Sequence, residues 1–355
     1  MRELIPTIQN WLVSGKGIAL ATVIKVEGSS PRPVGAKLIV SSKGDLLGSV
    51  SGGCVESSVV EEAQQCLQSG KPNLLHYGID NSSPWSVGLA CGGKIDVFIE
   101  PLFNLSFQSG FTHSMFEKLI ELIQKNQPFV LATITTGTFQ GRKGLFSADN
   151  WIVDDSTGTW SNSFSKRELI DLVEKGKPRL VEIQLDASQS YKAFLEPVLP
   201  QARMVIIGAV HIAAALVTFA HELGFRTIVI DPRSAFLTRE RFPQADELIH
   251  AWPQDILPKM NLVSSDCISV LSHDEKIDGP ALFASLKTSI GYIGLLGSLK
   301  TRDERFVALK GEGITGKELE RIHAPIGLNL GAVEPEEIAL SIIAEIVAER
   351  RKNKL

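Results

Sequence analysis

The chain has 355 residues, 44% apolar and 21% charged, the profile of a globular protein long enough for two or three domains. Its net charge is −4 and its one basic block is Arg350-Arg351-Lys352, which argues against nucleic acid as the main partner. The longest apolar run, 205–220, contains His211 and is too short to cross a bilayer, residues 1–6 open no signal-peptide core, and four cysteines make no secreted disulfide framework. A reduced, cytoplasmic protein without a membrane partner is expected.

The first hundred residues read as an α+β unit. Residues 4–15 carry Leu4, Ile5, Ile8, Trp11 and Leu12 on one helical face. Residues 18–26 form a β-rich apolar run, closed by the loop composition of Gly28-Ser29-Ser30-Pro31-Arg32-Pro33. Strands are predicted at 37–40 and 46–50, joined by a turn at 42–45. A helix follows over 55–67, with Val59, Val60, Ala63 and Leu67 on its buried side. Cys66 lies inside that helix and reads as packing.

Two cysteines sit among glycines, in Ser51-Gly52-Gly53-Cys54-Val55-Glu56 and Ala90-Cys91-Gly92-Gly93-Lys94. Glycine removes bulk beside each thiol, so a ligand can approach sulfur and backbone amides together. The two are too far apart for a CxxC metal knuckle or a redox pair. Cys54 falls at or near a helix N-terminus, where partial positive charge lowers a thiol pKa and favours an anion. Small buried cysteines at tight turns remain the plainer alternative. Cys91 precedes a strand at 95–99.

An internal echo follows. Ala19-Leu20-Ala21-Thr22-Val23-Ile24 is similar to Val130-Leu131-Ala132-Thr133-Ile134-Thr135, and the second copy has no cysteine. This is either a degenerate repeat or chance. Boundaries are expected at 1–105, 106–200 and 201–355.

From Arg203 the pattern becomes β-α-β. Residues 204–207 are an apolar strand, Gly208 turns it, a helix runs over 211–223 to a Gly224 C-cap, and residues 227–230 form a strand ending at Asp231. That is the spacing of a dinucleotide-binding unit. Further strands are predicted at 267–271 and 290–293, with helices at 279–287, 298–309 and 334–348. An α/β fold with a parallel, doubly wound, Rossmann-like C-terminal sheet follows, beside the N-terminal α+β domain. The glycine pattern is broken, because Val210 stands where the second glycine lets backbone meet a pyrophosphate. NAD(P) is therefore not expected. The strand ends still gather Gly208 and His211, Asp231 and Arg233, His273, and Gly297 and Ser298, a candidate ligand crevice. Ser298 opens a helix bearing Lys300, Arg302 and Arg305, which suits an anion or is simply a capped helix with a solvated basic face.

These motifs together resemble the XdhC/CoxI family, accessory factors of xanthine dehydrogenase and related molybdenum hydroxylases. The likeness rests on residues 28–37, 51–56, 88–97, 208–213, 229–233, 272–274, 292–298 and 324–339. The resemblance implies a maturation factor without turnover of its own, which binds molybdenum cofactor (molybdopterin), supports its sulfuration and delivers it to the apo-hydroxylase. It implies a cysteine desulfurase as sulfur source, and a homodimer is a further expectation. On this reading Cys54 and Cys91 act as soft ligands towards molybdenum or sulfur. The cofactor-binding set comprises Arg32, Gly52, Gly53, Cys54, Cys91, Gly92, Gly93, Gly208, His211, Asp231, Arg233, His273, Gly297 and Ser298. The family usually carries glycine at position 210, so Val210 implies another ligand pose or a vestigial pocket. Two alternatives stay open: a nucleotide-dependent oxidoreductase using Asp231 with His211 or His273 as acid/base, and a sulfurtransferase with a persulfide-carrying thiol.

Overall fold

The computed structural model describes residues 1–78, 92–104, 109–147, 150–153, 163–184 and 190–352. Contacts divide the chain into two compact units, Met1–Pro200 and Gln201–Leu355.

The first unit contains two sheets built on one plan. After α1 (Ile5–Val13) come β1 (Ile18–Glu27), β2 (Lys37–Ser41), β3 (Leu46–Gly48), α2 (Glu56–Ser69), β4 (Asn73–Tyr77) and β5 (Lys94–Pro101). A short ribbon, β6 (Phe103–Asn104) and β7 (Ser109–Gly110), leads to α3 (His113–Gln124), β8 (Phe129–Ile134), β9 (Lys143–Ser147), β10 (Asn150–Val153), α4 (Lys166–Lys175), β11 (Arg179–Gln184) and β12 (Ser190–Val198). The sheet orders are β3-β2-β1-β5-β4 and β10-β9-β8-β12-β11, so each element has a counterpart in the other half. The echo at 19–24 and 130–135 falls on the two central strands, β1 and β8.

Both central strands are apolar along most of their length because both faces are covered. Val59, Ala63 and Cys66 of α2 pack on one face of the first sheet, and Leu169 and Leu172 of α4 on the second. The helix pair α1 and α3 shares a third core with both sheets, through Ile8, Trp11, Leu20, Phe116, Leu119 and Leu131. The helix α4 starts from a capping box, Ser165 with Glu168, which removes orphan amide groups in both directions.

The halves are joined by crossed ion pairs. Thr22 stands opposite Lys37 across β1 and β2, and Thr133 opposite Lys143 across β8 and β9. Leu20 pairs with Glu100, and Leu131 with Glu196. Each lysine reaches the glutamate of the other half: Lys37 Nζ lies 2.8 Å from Glu196 Oε2, and Lys143 Nζ 2.6 Å from Glu100 Oε1. Lys143 also donates to Thr133 Oγ1 at 3.0 Å. Burial pushes the Glu100 carboxyl up and the Lys143 ammonium down, and their mutual attraction opposes both shifts.

The second unit is a parallel sheet with helices. Its elements are β13 (Arg203–Ile207), α5 (His211–Glu222), β14 (Arg226–Ile230), β15 (Glu247–Ile249), α6 (Pro253–Ile256), β16 (Cys267–Val270), α7 (Glu275–Leu286), β17 (Tyr292–Leu295), α8 (Leu299–Gly311), α9 (Gly316–Leu319), β18 (Ile322–His323) and α10 (Pro335–Lys352). The order β15-β14-β13-β16-β17-β18 is all parallel and places the topological switch between β13 and β16. One core lies between the sheet and α5 with α10, the other beneath α7 and its neighbours. The expected α/β fold with a Rossmann-like sheet is what the chain forms. One predicted helix starts earlier than its pattern suggested: the Asp274 carboxylate caps α7 by accepting from the Lys276 amide, so the helix begins at Glu275 and runs through Pro280.

Removing one member of a buried ion pair strands its partner. Lys143→Met should lower the stability of the first unit by about 3–5 kcal/mol. The double variant Lys143→Met with Glu100→Leu should regain a large part of it, as read by denaturant unfolding. A double variant as unstable as the single one would mean that the pair does not couple the halves.

Candidate functional site

Three turns meet at one end of the first sheet. The loop 28–33 leaves β1, the turn 49–54 leaves β3, and Gly92-Gly93 leads into β5. A Cβ built on Gly93 would lie 2.0 Å from the Ser29 carbonyl oxygen, so only glycine lets these backbones touch. Gly52, at φ +75°, packs against Pro31, with its Cβ position 3.4 Å from the Pro31 ring. Arg32 Nε donates to the Ser49 carbonyl at 3.3 Å. The structure therefore brings Arg32, Gly52, Gly53, Cys54, Gly92 and Gly93 into one neighbourhood, with the Cys54 thiol exposed. Among the described residues, nothing lies within 4 Å of the Cβ positions of Gly53 and Gly92. Cys91 lies outside the described residues. Among the described residues no group of three or more His, Cys, Asp or Glu is arranged to hold a metal ion.

Glu56 was not singled out in the sequence, yet it shapes this turn. Helix α2 begins at Glu56 itself, with Val55 as its N-cap. Its carboxylate folds back beneath the turn. Oε1 accepts from the Val50 amide at 3.2 Å, the Ser51 amide at 2.9 Å and the Ser49 hydroxyl at 2.7 Å. Oε2 accepts from the Gly53 amide at 2.8 Å and from the Ser51 hydroxyl. Burial pushes the carboxyl up, but the hydroxyls of Ser51 and Ser49 with the Ser51 and Gly53 amides outweigh it and hold it at about 2. The turn's amides, expected to attract an external anion, already hold the chain's own. The other described cysteines behave as packing residues, since burial drives the thiols of Cys66 in α2 and Cys267 in β16 up to about 12.

In the second unit the expected crevice residues lie at the carboxyl ends of adjacent strands. Gly208 follows β13 at φ +101°, and a Cβ there would come 2.7 Å from the backbone of Ser272. Close packing against the turn after β16 explains this glycine without a pyrophosphate. Asp231 is fully buried and fully engaged. Its Oδ1 accepts from the Arg233 amide and Nε at 2.8 and 2.9 Å, and its Oδ2 from the Ala209 amide at 2.7 Å and Arg233 Nη2 at 2.8 Å. Burial raises its carboxyl, yet the bonds from Arg233 and Ala209 leave it lowered overall. Both Asp231 carboxylate oxygens thus accept hydrogen bonds from within the protein.

Val210 is the N-cap of α5 and packs against the core, while His211 is exposed at the first helical position. His273 is exposed at φ +56°. Ser298 caps α8, accepting from the Thr301 amide at 3.1 Å, which is the plainer of its two expected roles. Asp278 escaped the sequence, and Arg305, read there as part of a basic helix face, is buried. Asp278 Oδ1 accepts from Ser272 at 2.6 Å, whereas buried Asp278 Oδ2 and Arg305 Nε have no partner among the described residues.

An exposed thiol among glycines on a twin-sheet unit stands in one chain with a Rossmann-like unit whose Asp231 is bonded within the protein, a two-unit α/β architecture. Residues 11–78 match the XdhC and CoxI family, and residues 204–346 match the XdhC Rossmann domain. The chain belongs to the XdhC/CoxI family. It is 29% identical over 336 residues to a probable xanthine dehydrogenase subunit of Bacillus subtilis (strain 168), covering 94% of this chain and 93% of that protein. It is 25% identical over 345 residues to the molybdenum cofactor insertion chaperone PaoD of Escherichia coli (strain K12), covering 96% of this chain and 85% of PaoD. The crystal structure of a xanthine dehydrogenase from Bacillus halodurans is similar at a TM-score of 0.77 and 26% identity, over 98% of this chain and 96% of that one. No described helix is long and apolar enough to cross a membrane.

The lowered Glu56 carboxyl makes a pH prediction. Its hydrogen bonds stabilise the fold fully above its ordinary value of 4.5 and are lost as pH falls through about 2. In denaturant titrations, wild type should exceed Glu56→Gln in stability near neutrality, with the gap closing between those two values. A gap that is constant with pH would contradict the assigned ionisation.

Proposed function

We propose that the protein binds molybdenum cofactor as cargo, supports its sulfuration and inserts it into xanthine dehydrogenase or a related molybdenum hydroxylase. The observation that carries the reading is the exposed Cys54 thiol, framed by Gly52, Gly53, Arg32 and the Gly92-Gly93 turn, in a chain of this family. PaoD, named as a molybdenum cofactor insertion chaperone, supports it along nearly the whole length. The donor set fits: a soft sulfur ligand suits molybdenum, and the open space at Gly53 and Gly92 admits a bulky group. Cys54 would contact the cargo, with Cys91 as a second sulfur. A cysteine desulfurase would supply the sulfur, the protein would act in the cytoplasm, and a homodimer is compatible with this role.

Anaerobic purification from cofactor-producing cells tests the reading. Wild type should carry molybdenum and oxidisable pterin, and Cys54→Ser and Cys91→Ser should each lower both by about tenfold or more. Equal loading and equal hydroxylase activation with the double Ser variant would refute it.

The exposure of Cys54 also favours a second reading, in which this thiol carries persulfide itself. Intact-mass analysis after incubation with a desulfurase and cysteine should then show one added sulfur on Cys54. An unchanged mass removes this reading and leaves the first in place. The oxidoreductase alternative loses its support from the engagement of Asp231, and titration with NAD(H) and NADP(H) should give no binding.

A further inference from the structure

The Ser49–Cys54 turn has the makings of an oxyanion pocket. Gly52 and Gly53 lie in the left-handed region at φ +75° and +116°, and the Val50, Ser51 and Gly53 amides converge on one point. Concave amide arrays of this kind bind phosphate, sulfate or molybdate. In this chain the point of convergence is the Glu56 carboxylate, with five donors on its two oxygens. Ordinary capping does not account for this. In the capping boxes of α4 and α9, Glu168 and Glu318 sit at the third helical position and cap the N-cap residue alone, Glu318 pairing besides with the Lys287 side chain. Glu56 sits at the first position of α2 and reaches back over the whole turn that bears Cys54.

We propose that Glu56 is the positioning and selecting residue of the Cys54 turn, a built-in anion that fills its amide pocket, so that ligands bind there through sulfur and free oxyanions are refused. Tethered by the chain, the carboxylate competes at high effective concentration. Its fixed negative charge repels phosphate or molybdate from the thiol while leaving sulfur free to meet a soft metal or sulfane sulfur. The inference deepens the proposed cargo site and rests on Cys54 being its contact. Its test uses simple anions, so it can fail while cofactor loading stands, and the reverse.

The test follows alkylation of Cys54 by a maleimide in the full chain, resolved by peptide mass spectrometry, with and without millimolar molybdate or inorganic phosphate. Wild type and Glu56→Asp should react at the same rate with or without either anion. Glu56→Ala should be slowed several-fold by both, because the vacated amides bind them over the thiol. Millimolar formate should raise the melting temperature of Glu56→Ala by restoring a carboxylate, and should leave the capping variant Glu168→Ala unchanged. If Glu56→Ala does not fold, Glu56→Ser, which also vacates the amides, is read by the same anion protection. Protection of wild-type Cys54 by molybdate or phosphate would overturn the proposal. So would a neutral Glu56 variant that folds and responds to none of the three anions.

Discussion

A carboxylate taken out of water must find donors or a cation inside the protein, and that requirement organises both units. Glu100 and Glu196 meet it through lysines of the opposite half, which fixes how the two sheets of the first unit face each other. Glu56 meets it through backbone and serine donors, which fixes the turn that presents Cys54. Asp231 meets it through Arg233 and the Ala209 amide, which fixes the first loop of the Rossmann-like sheet. Each group is costly to bury and more costly to leave unpaired. The loops around them therefore have little freedom to rearrange.

At Asp231 and Glu56 the bonded carboxylates also decide what the candidate sites have left to offer. A dinucleotide fold recognises its ribose with a free acidic acceptor at the end of the second strand. Here the acid is present, buried and shielded by a guanidinium two residues on. At the thiol turn the amides are likewise taken, and sulfur is the group that remains. Among the described residues nothing lies within 4 Å of the Cβ positions of Gly53 and Gly92, whereas Gly208 and Gly93 are glycines because another backbone lies against them.

Much of this was legible in the sequence, for definite reasons. The apolar runs at 18–26 and 204–207 marked central strands because strands covered on both faces show no alternation. The β-α-β spacing from Arg203 to Asp231 marked the Rossmann-like unit. The crossed pairing of Lys37, Glu100, Lys143 and Glu196 was not legible, since a partner across a sheet interface leaves no spacing to read. Nor was the role of Glu56, because a carboxylate that reaches back over the preceding turn leaves no spacing to read. Asp231 was singled out by its position at the end of the second strand, whereas its bonds to Arg233 depend on a rotamer that spacing does not reveal.

The crossed lysine–glutamate pairs tie the two halves of the first unit into a single cooperative folding event. Neither half can bury its own charges to completion, because Lys37 and Glu100 belong to one and their counterions to the other. Half-formed states carry stranded ions and are depopulated. The thiol turn therefore borrows its rigidity from a segment that supplies no residue to it. A sequence change near Lys143, far from Cys54 along the chain, is felt there as a change in how often the whole platform opens.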